Sequence, residues 1–182
     1  MLPLKDILCI SKDKIMDKRL VVGKEIARGK ESIVYEDKRN INNVIKKCTD
    51  LKEFNILKNL QHINIIKPID WFIDEDELLE IINDEEYEEY EENEKDNLFE
   101  YYVVYPRLEK VKKIPTICQI KELVNAIEYL IENNIDHGDL RIDNIMTHNE
   151  KLTLIDFGCC NIISHNMNEL FMYKYYFLYN RT

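Results

Sequence analysis

No run of 18 or more apolar residues occurs in this 182-residue chain, which excludes an ordinary membrane-crossing helix. The N-terminus, from Met1 to Asp6, also lacks the basic-then-apolar order of a secretory signal. A cytoplasmic protein with no membrane partner is therefore expected. Cysteine is sparse: Cys9, Cys48, Cys118, Cys159 and Cys160 are odd in number, and none forms a Cys-x-x-Cys pair. That spacing argues against a disulfide frame or a thiolate zinc site and predicts buried free thiols. Basic stripes interleaved with aromatics are missing too, so nucleic-acid binding gains no support.

What is present is charge of one sign in one place. The net charge is −10, yet residues 74–96 hold 14 acidic side chains against the single Lys95. This stretch outweighs the whole net charge and leaves the remainder slightly basic. The run from Glu85 to Glu94 is read as a self-repelling insertion, bounded at 74–97, either a plain solvated loop or a dock for a basic partner. Length and 45% apolar content suit one compact domain with two lobes and a real core.

Hydrophobic periodicity predicts two helices. In residues 50–60, Leu51, Phe54, Leu57 and Leu60 recur at helical spacing, with Asp50 and Glu53 placed for a capping box. From Thr116 to about Glu132, a stripe of Ile117, Ile120, Leu123, Val124, Ile127, Leu130 and Ile131 follows Pro115, with Thr116 and Gln119 as a second capping box. Strand-like runs fall at 19–26, 32–36, 43–47, 67–72 and 101–105. Two more, at 145–147 and 152–155, flank a turn at 148–151. Strands with one early helix, then a long helix, then a hairpin predict an α+β layering rather than alternating βαβ units.

The chemistry concentrates in His137-Gly-Asp-Leu-Arg-Ile-Asp-Asn144 and Leu154-Ile-Asp-Phe-Gly158. Phosphoryl transfer needs a carboxylate to accept a hydroxyl proton and oxygen ligands to hold Mg²⁺ on the phosphates. Asp139 and Asn144 lie on a loop directly after the long helix, and Asp156 ends a short strand. A loop–hairpin–loop of this length can bring all three around one metal.

This order resembles the protein-kinase superfamily, whose catalytic loop reads His-Arg-Asp-x-x-x-x-Asn ahead of Asp-Phe-Gly. The resemblance covers roughly residues 23–163 and implies a bilobal fold. It comprises an antiparallel β-sheet N-lobe with one helix at 1–105 and a reduced, mainly helical C-lobe at 106–182. It implies ATP and Mg²⁺ as cofactors. Asp139 corresponds to the base and Arg141 to a cation stabilising the transferring phosphoryl, while Asn144 and Asp156 correspond to Mg²⁺ ligands. Lys46, in Val44-Ile-Lys46, corresponds to the phosphate-holding lysine and Glu53 to its partner. His62-Ile-Asn-Ile-Ile66 resembles the turn after the first helix. Ala27, Gly29, Ser32 and Val34 align with the phosphate-covering hairpin. The run 101–108 resembles the strand linking the lobes, with Tyr105 as gatekeeper and Leu108 at the nucleotide.

Three departures stand out. Of the hairpin glycines only Gly29 remains, with Ala27 and Ser32 at the outer positions. Gly138 replaces the arginine that would pair with a phosphorylated activation loop; His-Gly-Asp is the form of atypical and small-molecule kinases, including RIO kinases, aminoglycoside kinases and the KEOPS-associated kinase. No Ala-Pro-Glu follows Gly158, and the 24 residues after it leave no room for the usual helical lobe. The aromatic-rich stretch 166–180 is expected to close the core or present a patch to a partner. Small kinase-like proteins of viruses and intracellular organisms are pared down in this way, which would place the chain in a host cytoplasm if viral. The sequence therefore predicts a minimal serine/threonine protein kinase with a protein substrate. The alternatives are a pseudokinase binding module and a small-molecule or KEOPS-like kinase.

Overall fold

The computed structural model describes residues 11–29, 32–76, 78 and 100–163. Most of the acidic insertion, the hairpin tip at 30–31 and the aromatic stretch 166–180 lie outside the described residues. The described residues fall into two compact units. One runs up to Leu60 and adds Ile66–Arg107; the other joins Gln61–Ile65 to the residues from Leu108 onward.

The first unit is built on a six-stranded sheet. Its strands are β1 (Ile15–Met16), β2 (Val22–Arg28), β3 (Ile33–Asp37), β4 (Asn43–Cys48), β5 (Asp70–Asp74) and β6 (Tyr101–Pro106), in the order β1-β5-β6-β4-β3-β2. All pairings are antiparallel except β1 with β5. The strands form where Val, Ile and Tyr cluster, because branched and aromatic side chains pack well on a pleated surface. One face buries Ile45, Phe72, Tyr102 and Val104 against Val21, with Met16, Val22 and Tyr35 around them. Phe72 and Tyr102 stack with centroids 5.1 Å apart. Truncating a ring as enclosed as Phe72 costs about 3–5 kcal/mol in such cores.

The segment before β2 differs from its expected strand. Residues Lys18–Val21 make a helical turn, α1, capped by Asp17, whose carboxylate accepts the Arg19 N–H at 2.9 Å. Two ion pairs tie this segment to β5: Lys14 with Asp70, and Lys18 with the fully buried Asp74 at 2.8 Å. Short polar runs of this kind carry no period, so only tertiary pairing reveals them.

The helix expected at 50–60 is shorter, α2 (Lys52–Leu57), and its capping box does not form. Asp50 instead accepts the Lys52 N–H at 2.9 Å, and Glu53 turns its carboxylate to partners on the sheet. Leu57 and Leu60 are buried, and Phe54 meets Trp71 edge-on at 6.3 Å.

In the second unit the long helix α3 spans Ile117–Glu132, and the Thr116–Gln119 capping box is complete. Gln119 N–H donates to Thr116 Oγ1 at 3.2 Å, and Thr116 N–H donates to Gln119 Oε1 at 2.9 Å. Its buried face is narrower than the sequence stripe: Leu123, Ala126 and Leu130 are enclosed, whereas Ile117 is 75% exposed. Around α3 lie β7 (Glu109–Lys110), β8 (Ile135–Asp136), β9 (Ile145–His148), β10 (Lys151–Leu154) and β11 (Asn161–Ile162). β10, β9 and β7 form one sheet in that order, and β11 pairs with β8. The β9–β10 turn uses Asn149 and Glu150 at φ 48° and 64°, the left-handed pair that suits a tight hairpin.

The described cysteines are free, as spacing suggested, but Cys118 and Cys159 are exposed rather than buried. Among the described residues no helix is long and apolar enough to cross a membrane.

Candidate active site

In the first unit the register gathers a row of side chains. Ala27 pairs with Val34, Val34 with Lys46, and Lys46 with Val103. Directly opposed residues in antiparallel strands project to one face, so these four share a face of the sheet. Lys46 Nζ donates to Glu53 Oε2 at 2.5 Å, and each side chain is 12% exposed. Exposed ion pairs contribute little, but stripping one partner from a largely desolvated pair costs about 3–5 kcal/mol. The second carboxylate oxygen of Glu53 is also engaged: the Tyr105 hydroxyl donates to Oε1 at 2.8 Å. Tyr105 sits on β6, opposite Val44, and is buried.

The hairpin between β2 and β3 closes with the Gly29 N–H donating to Ser32 O at 2.8 Å. Gly29 and Ser32 line an open cavity of about 470 Å³ that also involves Arg28, Ile33, Lys47, Cys48, Thr49 and Glu100. Lys46 is not among its walls. Burial pushes the Cys48 thiol up to about 12, keeping it protonated and unreactive at neutral pH.

In the second unit the loop after β8 is organised by hydrogen bonds between side chains and backbone. His137 is buried, and its Nε2 lies 3.0 Å from the Ile155 carbonyl. A carbonyl only accepts, so Nε2 carries the hydrogen, and Nδ1 is left to accept the Asp139 N–H at 3.4 Å. Burial lowers the imidazole's pKa, which agrees with this neutral tautomer. The His137 and Phe157 rings meet at 4.4 Å, and Phe157 is fully enclosed. Asn144 Nδ2 donates to the Asp139 carbonyl at 3.0 Å and to its carboxylate Oδ2 at 2.8 Å. Arg141 Nε stands 3.5 Å from the same Oδ2. Asp139, Arg141 and Asn144 are thus brought together. Asp156 is joined to them through its neighbour, because the Ile155 N–H donates to Asn144 O at 3.0 Å.

Two backbone features shape this loop. Asp156 is exposed at φ 60°, a left-handed conformation that costs a non-glycine residue about 1–2 kcal/mol. Strain of that kind concentrates where a side chain must be aimed. Gly138 has φ 74°, and a Cβ built on it would lie 2.3 Å from the Cys159 carbonyl oxygen. No side chain fits there without moving the Cys159 peptide, which accounts for glycine where the resemblance leads one to expect arginine.

Among the described residues no group of three or more His, Cys, Asp or Glu side chains is placed to hold a metal alone. Asn144 and Asp156 offer an amide and a carboxylate oxygen. Mg²⁺ takes such hard donors in ones and twos, completing its shell with phosphate oxygens and water. With the Asn144 amide nitrogen given to Asp139, its oxygen is the atom left to offer a metal, and the donor set fits.

Comparison with known proteins assigns the class. The model of the protein kinase domain matches residues 16–178. A probable serine/threonine-protein kinase of Dictyostelium discoideum is 34% identical over 117 residues, 62% of this chain and 20% of its own length. The kinase shk1/pak1 of Schizosaccharomyces pombe is 33% identical over 133 residues, 72% of this chain and 18% of its own. Human calcium/calmodulin-dependent protein kinase type IV is 30% identical over 166 residues, 80% of this chain and 32% of its own. The chain belongs to the protein kinase family, and it spans about a fifth of the first two of these relatives.

Sequence reasoning missed three contributors. Asn64, in the turn after α2, is buried, and its Nδ2 donates to Leu152 O at 2.7 Å. The Tyr105 hydroxyl engages Glu53, and the Cys159 peptide dictates Gly138. Only the first carries a sequence signal, the His62-x-Asn64 pattern; the others depend on contacts across 52 and 21 positions of chain.

Proposed function

We propose that the chain is a Mg·ATP-dependent phosphotransferase acting on serine or threonine hydroxyls of a protein substrate in the cytoplasm. The residues up to Arg107 act mainly as its nucleotide-handling lobe and those beyond as its catalytic lobe. The observation that carries this reading is the ion pair between Lys46 and Glu53, which holds the ammonium at a fixed point on the sheet. When bound, Mg·ATP supplies the γ-phosphoryl group, with the metal neutralising charge on its oxygens.

The residues then divide the tasks among them. Lys46 holds the α- and β-phosphates and Glu53 orients it. Ala27, Gly29, Ser32 and Val34 cover the nucleotide, with Tyr105 and Leu108 along its edge. Asn144 and Asp156 ligate the metal. Asp139 Oδ would take the hydroxyl proton as the substrate oxygen attacks the γ-phosphorus and ADP departs, and Arg141 would stabilise the charge on the transferring phosphoryl group. Asn144 orients Asp139 through the 2.8 Å bond to its carboxylate.

Transfer of labelled γ-phosphate to the protein itself and to a generic basic protein tests this. Wild type should label, and Asp139→Asn and Asp156→Ala should not; an unchanged rate in Asp139→Asn would sink the assignment. A second reading, a binding module without catalysis, is favoured by Ala27 and Ser32 at the outer hairpin positions, where glycine would permit close approach to phosphate. It predicts no labelling by any form. A small-molecule acceptor, favoured by Gly138, predicts transfer that spares proteins.

A further inference from the structure

We propose that the Tyr105 hydroxyl is a positioning group that fixes Glu53, and through it Lys46, so that the phosphate-holding ammonium is set before nucleotide arrives. This deepens the phosphotransferase reading and rests on it for its functional consequence.

Glu53 stands on a short helix. α2 is six residues long, and its N-cap, Leu51, offers no side-chain cap. Helices so short are marginal on their own, so their orientation comes from packing. Only Leu57 of α2 is buried, and it lies one turn beyond Glu53. The backbone around Glu53 is held by Asp50 at the Lys52 N–H and by Phe54 against Trp71, but neither fixes the Glu53 carboxylate, which is placed by its own partners.

Those partners are of different kinds. Lys46 sits at the end of a flexible four-carbon stem and is itself the group to be positioned. Tyr105 is a rigid ring on β6, which lies between β5 and β4 in the sheet, and it is 3% exposed. Its phenol donates to Oε1 at 2.8 Å while Lys46 holds Oε2 at 2.5 Å. A rigid donor on one oxygen removes rotation of the carboxylate, leaving the other oxygen aimed at the ammonium. Bonds from a neutral donor to an ionised acceptor are among the stronger in proteins. The Tyr105 hydroxyl thus adds a rigid hold on Glu53 to the flexible one that Lys46 supplies.

Tyr105→Phe removes that hydroxyl and keeps the ring. Two readouts test the proposal. The rate at which a small amine-reactive ester acylates Lys46, followed by mass spectrometry without nucleotide, should rise about tenfold as the pair loosens. Affinity for a fluorescent ATP analogue should fall by a similar factor, with the midpoint of thermal unfolding little changed. In a Glu53→Gln background, Tyr105→Phe should add nothing further to either readout, since its effect runs through the carboxylate. An unchanged Lys46 acylation rate in Tyr105→Phe, or full additivity with Glu53→Gln, would overturn the positioning role. Loss of wild-type nucleotide binding with the acylation effect intact would instead overturn the phosphotransferase reading, and the role of Tyr105 in placing Lys46 would stand as geometry alone.

Discussion

The two units hold their functional side chains by different means. In the first, side chains on the sheet and helix engage one another: Glu53 grips the Lys46 ammonium, and Tyr105 grips Glu53. In the second, Asn144 still holds the Asp139 carboxylate, but the main chain takes part throughout: His137 bonds to the Ile155 carbonyl, the Ile155 N–H reaches Asn144 O, and Gly138 lies tight against Cys159. One hydroxyl can be taken from a side-chain network while the fold survives. A loop pressed against main chain fails when a Cβ is forced into it. Removing the Tyr105 hydroxyl in the first unit should therefore act on chemistry, and adding a side chain at 138 in the second should act on stability.

The largest expected effect falls on the proposed chemistry of the second unit. On the mechanism proposed above, Asp139→Asn removes the proton acceptor and should lower labelled-phosphate transfer by about 10²–10⁴-fold, in keeping with general-base contributions. Its carboxamide keeps the shape of the loop, so thermal unfolding should move little. A comparable loss of stability would show that the loop depends on this side chain and would break the contrast.

Next in size is Gly138→Ala. The added methyl combines an unfavourable φ of 74° with a 2.3 Å approach to Cys159 O. We expect about 2–4 kcal/mol of destabilisation, read from urea unfolding, given the usual cost of such strain and overpacking. A near-neutral result would mean the Cys159 peptide yields easily.

A smaller effect concerns pH. Burial holds the folded-state pKa of His137 below its ordinary 6.5. The unfolded chain therefore binds the proton more readily, and stability is complete above about pH 6.5 and falls as pH drops through the lowered folded value. His62, also lowered by burial, adds in the same direction. The urea midpoint should decline below pH 6.5, and His137→Gln should flatten part of that slope. A slope unaffected by the change would assign it elsewhere.

The smallest effect is chemical rather than energetic. Native protein treated with iodoacetamide at pH 8 should be modified at the exposed Cys118 and Cys159, while Cys48, with its thiol pushed up to about 12, is spared. Peptide mapping reads this directly. Early reaction at Cys48 would show that β4 opens at its end.

How much of this was legible beforehand depended on range. The Thr116–Gln119 box is complete because both partners lie within one helical turn, where local rules govern. The Asp50–Glu53 box obeys the same local rule but does not form. A buried ammonium and a phenol on the sheet compete for Glu53, and tertiary partners win. The order of Lys46, Glu53, Asp139, Asn144 and Asp156 stands in the sequence itself, and the family it resembles is the one whose domain model matches residues 16–178. The contact that excludes a side chain at 138 could not be read there, since it involves the backbone of Cys159 and leaves no mark on that residue's identity. The exposed Ile117 at the start of α3 marks another limit, for periodicity names an apolar face without saying how much of it is covered.

The crowding at Gly138 also bears on the order in which such a loop can change over generations. Where the Cys159 peptide presses against position 138, arginine cannot enter by itself. A side chain there and the present path of that backbone exclude each other, so the peptide would have to move beforehand. The contact thus sets an order on two changes: the backbone after Asp-Phe-Gly gives way first, and a side chain at 138 can only follow.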